Sequence, residues 1–147
     1  MARSILPAVS TNPRSESAPG QTIPHLADDI EAKLLSYPVG TELLSEGESP
    51  RGLLVMYDGL AELSMLGSNG KSLFLGLATP GELLGLGEAI SGKPSPLTAV
   101  ALRRCKVALI EREDFLRYIQ EHNMACFQAA KRLGKQLSLV YQRARSF

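Results

Sequence analysis

The chain has few of the residues on which metal and redox cofactors depend. Its 147 residues include two cysteines and two histidines, and no histidine lies between residues 26 and 121. An iron–sulfur cluster needs about four thiolates, which Cys105 and Cys126 cannot supply. A cupin-type metal site needs clustered histidines and acids on the strands, and a haem would depend on the isolated His25 or His122. We therefore predict no metal, iron–sulfur or haem cofactor.

Long hydrophobic runs and catalytic signatures are also missing. The longest apolar runs have about five residues, far below the roughly 20 that a membrane helix requires. The N-terminus lacks the apolar segment of a signal peptide. With only Cys105 and Cys126, and no CxxC motif, this predicts a cytoplasmic protein with reduced thiols and no membrane partner. No GxSxG, Walker, HExxH or other nucleophile–base pattern is present, so we predict that the chain is not an enzyme.

The charge is small overall but unevenly distributed. A net charge of +1 does not indicate nucleic-acid binding by the chain as a whole. Residues 103–147 nevertheless hold ten Lys/Arg and four Asp/Glu, so residues 1–102 are net acidic. The basic bias fits either a solvated helix face or a basic patch, and the scattered spacing of the charges favours the solvated face.

The composition of the chain predicts three segments. Residues 1–24 are rich in Ser, Pro and Ala, and we expect a flexible arm. Residues 25–122 are expected to form a β-roll with flanking helices, and residues 123–147 a long helix. Within the second segment, residues 25–36 have apolar side chains four apart and acids near the start, which predicts an N-terminal helix.

The region that follows has the pattern of short antiparallel strands. The runs GLLVMYDG, AELSML and KSLFLGLA are separated by Asp58-Gly59 and by residues 67–71, both typical of hairpin turns. Within AELSML, Leu63 and Met65 lie on one side. PLTAVAL and CKVALIE add two more strands. Six to eight strands at this spacing predict an α+β fold, an antiparallel β-roll or jelly roll with an N-terminal helix and two C-terminal helices.

The two C-terminal helices follow from a change to helical spacing. The first places Phe115, Leu116 and Ile119 on one face, with acidic residues at its start. The second begins at residue 123 and carries two apolar rows. The first row comprises Phe127, Ala130, Gly134, Leu137, Tyr141 and Ala144. The second row comprises Cys126, Ala130, Leu133, Leu137 and Val140.

The two rows of the last helix allow two interpretations. They can form one broad stripe that faces the core of a monomer, or one row can pack on the roll and the other on a second copy. Together they are wider than a helix needs against a single surface. We therefore favour a homodimer with the first row as its interface.

A resemblance becomes specific when several motifs are taken in order. They are Tyr37-Pro38 with Gly40-Thr41, Glu46-Gly47-Glu48, Leu53 to Gly59, Pro80-Gly81-Glu82-Leu83-Leu84-Gly85, Ala99 to Val107, and Glu113-Asp114-Phe115. This series resembles the cyclic-nucleotide-binding-like sensor domain of Crp/Fnr-family transcription regulators, over about residues 25–145. No single motif is decisive, but the ordered set at this spacing is specific.

The resemblance implies a dimeric sensor in which an effector changes how two long helices pair. In the family this change reaches a helix-turn-helix DNA reader, which is absent from these 147 residues. DNA is therefore expected as a partner only through a domain outside this chain. We expect the chain to be the effector-sensing and dimerisation part of a longer regulator. The alternative is a stand-alone binding or interaction module without DNA binding.

In nucleotide-binding members of the family, a Gly-rich segment cradles the cyclic phosphate, a Glu binds the ribose and an Arg binds the phosphate. By resemblance Gly81 and Gly85 match the early glycines of this cassette. The Glu position falls on Leu86, and the Arg position falls on Leu97, before Thr98-Ala99. Since a buried phosphate opposite leucines is costly, we do not expect cyclic AMP or cyclic GMP to bind.

The segment is expected to suit a small effector other than a cyclic nucleotide, if it binds one. Glu88 could reach the site only if the loop shifted, and Lys93 precedes Pro94 in what is expected to be an exposed turn. The lining implied by family position is apolar or weakly polar. It comprises Gly81, Leu84, Gly85, Leu86, Glu88, Leu97, Thr98 and Leu133.

Overall fold

The fold is a β-roll of two antiparallel sheets with three helices. The computed structural model describes residues 30–145. The strands are β1 (Lys33–Tyr37), β2 (Glu42–Leu44), β3 (Gly52–Asp58), β4 (Ala61–Leu66), β5 (Ser72–Ala78), β6 (Leu83–Leu84), β7 (Thr98–Ala101) and β8 (Cys105–Glu111). The helices are α1 (Leu86–Ser91), α2 (Arg112–Glu121) and α3 (Asn123–Arg145). The predicted antiparallel roll with two C-terminal helices is confirmed.

The strands form two four-stranded sheets that face each other. Sheet A has the order β1-β8-β3-β6, and sheet B has the order β2-β7-β4-β5. Consecutive strands often lie in different sheets, so the chain passes repeatedly from one sheet to the other. The hairpin between β4 and β5 and the turn between β3 and β4 lie where the sequence predicted them.

Sheet A is covered on both faces, which explains the continuous apolar run of β3. Leu53 and Val55 point toward the helices, whereas Leu54 and Met56 point between the sheets. We call the second region the inner core. It comprises Leu35, Tyr37, Leu43, Leu44, Leu54, Met56, Ala61, Ala78, Leu84, Ala99, Ala101, Cys105, Val107 and Leu109.

The opposite face of sheet A packs on the three helices, in a region that we call the helix-side core. It comprises Ile30, Leu53, Val55, Leu83, Leu86, Ala89, Ala108, Ile110, Phe115, Tyr118, Ala125 and Ala129. Phe115 of α2 lies at its centre and is fully buried. Side chains from α2 and α3 are therefore held against the same sheet that supports α1.

The turn between β3 and β4 requires the glycine that the sequence places there. Gly59 has φ of 107°, a left-handed conformation that L side chains rarely adopt. A Cβ at this position would lie 2.5 Å from the carbonyl oxygen of Arg104 and 2.8 Å from Sγ of Cys105. Close approach of the turn to β8 therefore adds to the conformational requirement.

The predicted N-terminal helix over residues 25–36 is wrong where the structure describes it, because Lys33–Tyr37 forms strand β1. The four-residue spacing of Ile30 and Leu34 is compatible with a helix, but tertiary pairing of β1 with β8 prevails. Leu34 then contacts the helix-side core while Leu35 and Tyr37 enter the inner core. Residues 25–29, and the predicted arm over residues 1–24, lie outside the described residues.

Candidate functional site

The Gly-rich segment, which comprises residues 81–99, begins with a strand–turn–helix unit at the edge of sheet A. Strand β6 ends at Leu84, Gly85 adopts φ of 85°, and α1 begins at Leu86. A Cβ on Gly85 would lie 3.2 Å from the carbonyl oxygen of Gly52, so the turn is tight against the start of β3. Glycine is thus required both by the backbone angle and by the neighbouring strand.

The structure divides the leucines of the segment between the two cores. Leu84 belongs to the inner core, and Leu97 packs against the same core while partly exposed. Leu86 instead belongs to the helix-side core and is only 1% exposed. Leu133 of α3 packs against that core, with its Cδ2 3.8 Å from a Cβ built on Gly87. The predicted apolar lining therefore forms two groups, one on each side of sheet A.

The remaining predicted cassette residues make backbone or hydroxyl contacts. The Gly81 amide donates to the carbonyl oxygen of Met56 at 2.8 Å, which closes the turn into β6. The carbonyl of Glu88 accepts the amide of Gly92 at 2.8 Å, which ends α1. The side chain of Glu88 is partly exposed, and Lys93 is exposed, as the sequence predicted.

Residues 45–51 form a loop, which we call the 45–51 loop, that is joined to the end of the Gly-rich segment. The sequence did not predict this contact. The Gly47 amide donates to the carbonyl of Ser95 at 2.8 Å, and the Ser95 amide donates to the carbonyl of Glu48 at 2.9 Å. The amide of Glu46 donates to the hydroxyl of Thr98 at 3.1 Å. Three hydrogen bonds therefore join the loop to the segment. The motif Glu46-Gly47-Glu48 was a signal of this role, but its partners are about 50 residues away.

Two arginines that the sequence analysis did not single out connect the segment to the helices. Arg112 begins α2 and donates from Nε to the carbonyl of Ala89 in α1 at 2.8 Å. Arg132 of α3 is partly buried, and burial lowers the pKa of its guanidinium, an effect that the charge of Glu82 opposes. A change in the position of α1 can therefore reach α2 through the hydrogen bond of Arg112, and α3 through the packing of Leu86 and Leu133 in the helix-side core.

The last helix has one face on the roll and one face in solvent. Ala125 and Ala129 are buried in the helix-side core. The predicted interface residues that the structure describes, Phe127, Ala130, Gly134, Leu137 and Tyr141, are all exposed. The side chain of Ala144 lies outside the described residues. Cys126, of the second apolar row, is also exposed, so that row does not form a continuous contact with the roll.

The polar chemistry of residues 30–145 is limited. No group of three or more His, Cys, Asp or Glu side chains in this range is arranged to hold a metal ion. Within the same range, every buried side-chain nitrogen and oxygen has a hydrogen-bond partner. None of the three described helices combines the length and the hydropathy of a membrane span.

Comparison with known proteins gives a consistent assignment. The family model described as cyclic nucleotide-binding domain matches residues 34–122. Among solved structures, the catabolite activator protein of Thermus thermophilus is 23% identical, with a TM-score of 0.70 over 78% of this chain and 54% of that one. A putative cyclic nucleotide binding protein of Ruegeria pomeroyi is 27% identical, with a TM-score of 0.63 over 87% of this chain and 56% of that one.

A third similar structure is the c-di-GMP-responsive global regulator CLP of Xanthomonas campestris. It is 20% identical, with a TM-score of 0.67 over 78% of this chain and 58% of that one. The chain thus spans little more than half the length of each of these three proteins. None of the curated proteins compared with it matches.

Proposed function

Since this chain belongs to the cyclic nucleotide-binding domain family, we propose that it is the effector-sensing and dimerisation part of a Crp/Fnr-like transcription regulator whose effector is not a cyclic nucleotide. The observation that carries the proposal is the exposed apolar face of α3. The regulators among its structural neighbours support the general role. Dimerisation, the effector and contact with DNA are the proposed parts.

The exposed face of α3 is positioned where a second protein chain could contact it. At 100° per residue, the mean direction of the row formed by Phe127, Ala130, Gly134, Leu137 and Tyr141 lies about 140° from that of the buried Ala125 and Ala129. Their spacing of three and four residues alternates as in the seam of a two-stranded coiled coil. The side chains of Leu137 and Tyr141 are 51% and 62% exposed. Exposed apolar side chains at this regular spacing support contact with a second helix.

The second half of α3 has little support from its own roll. Residues 134–139, 141 and 142 are all exposed. A segment of 12 residues would extend about 18 Å, and an isolated helix of this length is marginal in water. A Cβ built on Gly134 has no neighbour within 4 Å among the described residues, so the monomer does not require glycine there. Close approach of a second α3 would give this glycine a role.

The cassette supports an effector other than a cyclic nucleotide. The position at which nucleotide binders have a ribose-binding Glu is Leu86, which lies in the helix-side core. The position of the phosphate-binding Arg is Leu97, an apolar side chain against the inner core. A desolvated phosphate would therefore lack the charge-assisted hydrogen bonds that stabilise it.

Sedimentation velocity of the chain at about 20 µM tests the dimer. We expect a dimer that Leu137→Asp converts to a monomer, because a carboxylate in an apolar seam is desolvated without a partner. Gln136→Asp is the matched control, because it adds the same charge to an exposed neighbour outside the face and should leave the dimer intact. A wild-type monomer, or a Leu137→Asp dimer, would refute this part of the proposal.

The DNA-binding part has a separate test in the gene. We expect the reading frame to continue beyond codon 147 into a basic helix-turn-helix. A stop codon directly after that position would refute the regulator and leave the stand-alone binding module.

A further inference from the structure

The inner core contains a cavity that is not part of the Gly-rich segment. Its volume is about 220 Å³, and it opens to solvent under the 45–51 loop, at the end of the roll where β1, β2, β3 and β8 meet. The apolar part of its wall comprises Leu35, Tyr37, Leu43, Leu44, Leu54 and Leu109. None of the residues predicted for the cassette or for α3 lines it.

The exposed fractions of the inner-core side chains show where the cavity lies. Met56, Cys105 and Val107 have no exposed surface, whereas Leu43 and Leu109 keep 8% and 5%. Among residues 30–145, the deep part of the inner core is therefore filled, and the part under the loop is not. An apolar cavity of about 150 Å³ can stay dry and bind benzene. The cavity under the loop is larger and has five leucines and Tyr37 on its apolar side and polar residues at its mouth, so it has room for a single ring or a chain of about six carbons beside a polar group.

The mouth of the cavity has charges of both signs. The lining includes Glu48, Ser49 and Arg51 from the 45–51 loop. Arg51 donates from Nε to Glu111 at 2.7 Å, so its charge is already paired. A charged ligand would meet a like charge as well as an opposite one and would lose its hydration. These groups instead offer hydrogen bonds to a neutral polar group at the mouth.

We propose that this cavity binds a small neutral molecule that combines one aromatic ring or short aliphatic chain with one hydroxyl group. The apolar body would fill the unfilled end of the inner core, and the hydroxyl would remain at the polar mouth. Burial of the body in a preformed apolar site provides the driving force.

Binding of a molecule in the cavity would affect the position of the Gly-rich segment. Its roof is the 45–51 loop, which is hydrogen-bonded to Ser95 and Thr98. The same segment continues through α1 to Arg112. A ligand that fixes the loop would therefore bias the position of α1 relative to the C-terminal helices. This effect on the C-terminal helices rests on the proposed function, whereas binding of the molecule in the cavity does not.

Titration of the full chain with p-cresol, followed by calorimetry and by NMR shifts of the 45–51 loop amides, tests the site. We expect saturable binding, with shifts at the loop and at β1. Ser49→Trp should weaken binding at least tenfold, because an exposed serine at the mouth is replaced by a side chain large enough to close it. Ser68→Trp is the matched control, since Ser68 is exposed in the β4–β5 turn and should leave binding unchanged.

A second variant, Leu109→Phe, fills the cavity from its wall and should also abolish binding. If it does not fold, Ser49→Trp still decides the question, because its site is on the surface. Benzoate is expected to bind at least tenfold more weakly than p-cresol. Absence of saturation with p-cresol, or binding unaffected by Ser49→Trp, would overturn the proposal. Neither result would alter the sedimentation test of the dimer, so the two proposals can fail independently.

Discussion

Nε of Arg112 donates a hydrogen bond to the carbonyl oxygen of Ala89 at 2.8 Å and so joins the first turn of α2 to the last turn of α1. A Cβ built on Gly92, just after α1, would lie 3.0 Å from a terminal nitrogen of the same guanidinium. The cation thus lies at the C-terminal end of α1, where helix carbonyls lack partners and positive charge is favourable.

Arg112→Ala should lower the free energy of unfolding by about 1–3 kcal/mol, because a partly buried carbonyl loses a charged donor. Urea unfolding followed by circular dichroism measures the change. Arg117→Ala is the control: its exposed ion pair with Asp114 is expected to contribute less than about 1 kcal/mol. Equal effects of the two variants would contradict a special role for Arg112.

Cyclic AMP and cyclic GMP should leave the melting temperature of the chain unchanged at millimolar concentration. A ligand present at 100 times its dissociation constant would add about 2.7 kcal/mol, which is easily detected. Differential scanning fluorimetry provides the measurement. A clear, concentration-dependent increase with either nucleotide would show that the cassette binds nucleotides without Glu and Arg at positions 86 and 97.

Introduction of an acidic residue at position 86, where the family resemblance implies the ribose-binding Glu, should unfold the chain and not create a nucleotide site. Leu86 is 1% exposed within the helix-side core, so Leu86→Glu buries a carboxylate and loses apolar contacts, at a cost of at least about 3 kcal/mol. Leu66→Glu provides the comparison, since Leu66 is 61% exposed and the change should stay within about 0.5 kcal/mol. Chemical denaturation of both variants tests this; a stable Leu86→Glu protein would show that the side chain can leave the core.

The two cysteines should differ sharply toward a thiol reagent. Cys126 is exposed, whereas Cys105 is fully buried and donates weakly to the carbonyls of Leu60 and Arg103. Burial raises the pKa of the Cys105 thiol, which keeps it protonated in the folded state. In native protein at pH 7.5 we expect one equivalent of thiol to react quickly with Ellman's reagent and the second only after unfolding.

The same thiol should make stability depend on alkaline pH. Because its pKa is higher in the folded state, its contribution is complete below the unfolded pKa of about 8.5 and decreases as pH rises above that value. The decrease in unfolding free energy between pH 7.5 and 9.5 should therefore be smaller for Cys105→Ala than for the wild type. A Cys126→Ala control should retain the wild-type dependence, and an identical slope in all three proteins would exclude this contribution.

Local patterns predicted most of the strands, since alternation and hairpin glycines act over a few residues. Leu63 and Met65 share a face of β4 because successive side chains of any strand point to opposite sides. The β1 region was predicted incorrectly because its local spacing does not distinguish a helix from a strand. Leu34 fits a helical spacing with Ile30, and only the pairing of Leu34 with Ala108 of β8, more than 70 residues away, selects the strand.

The sequence by itself determined the roll and the long last helix, because each depends on side-chain type and short-range spacing. The tertiary structure alone decided that Leu86 and Leu97 lie in different cores and that the 45–51 loop is joined to Ser95. It also decided that one end of the inner core is unfilled. These features depend on how distant segments pack. A turn at Gly85 can direct the next side chain to either face of a sheet, and side chains from different strands come into contact only after the two sheets pack together.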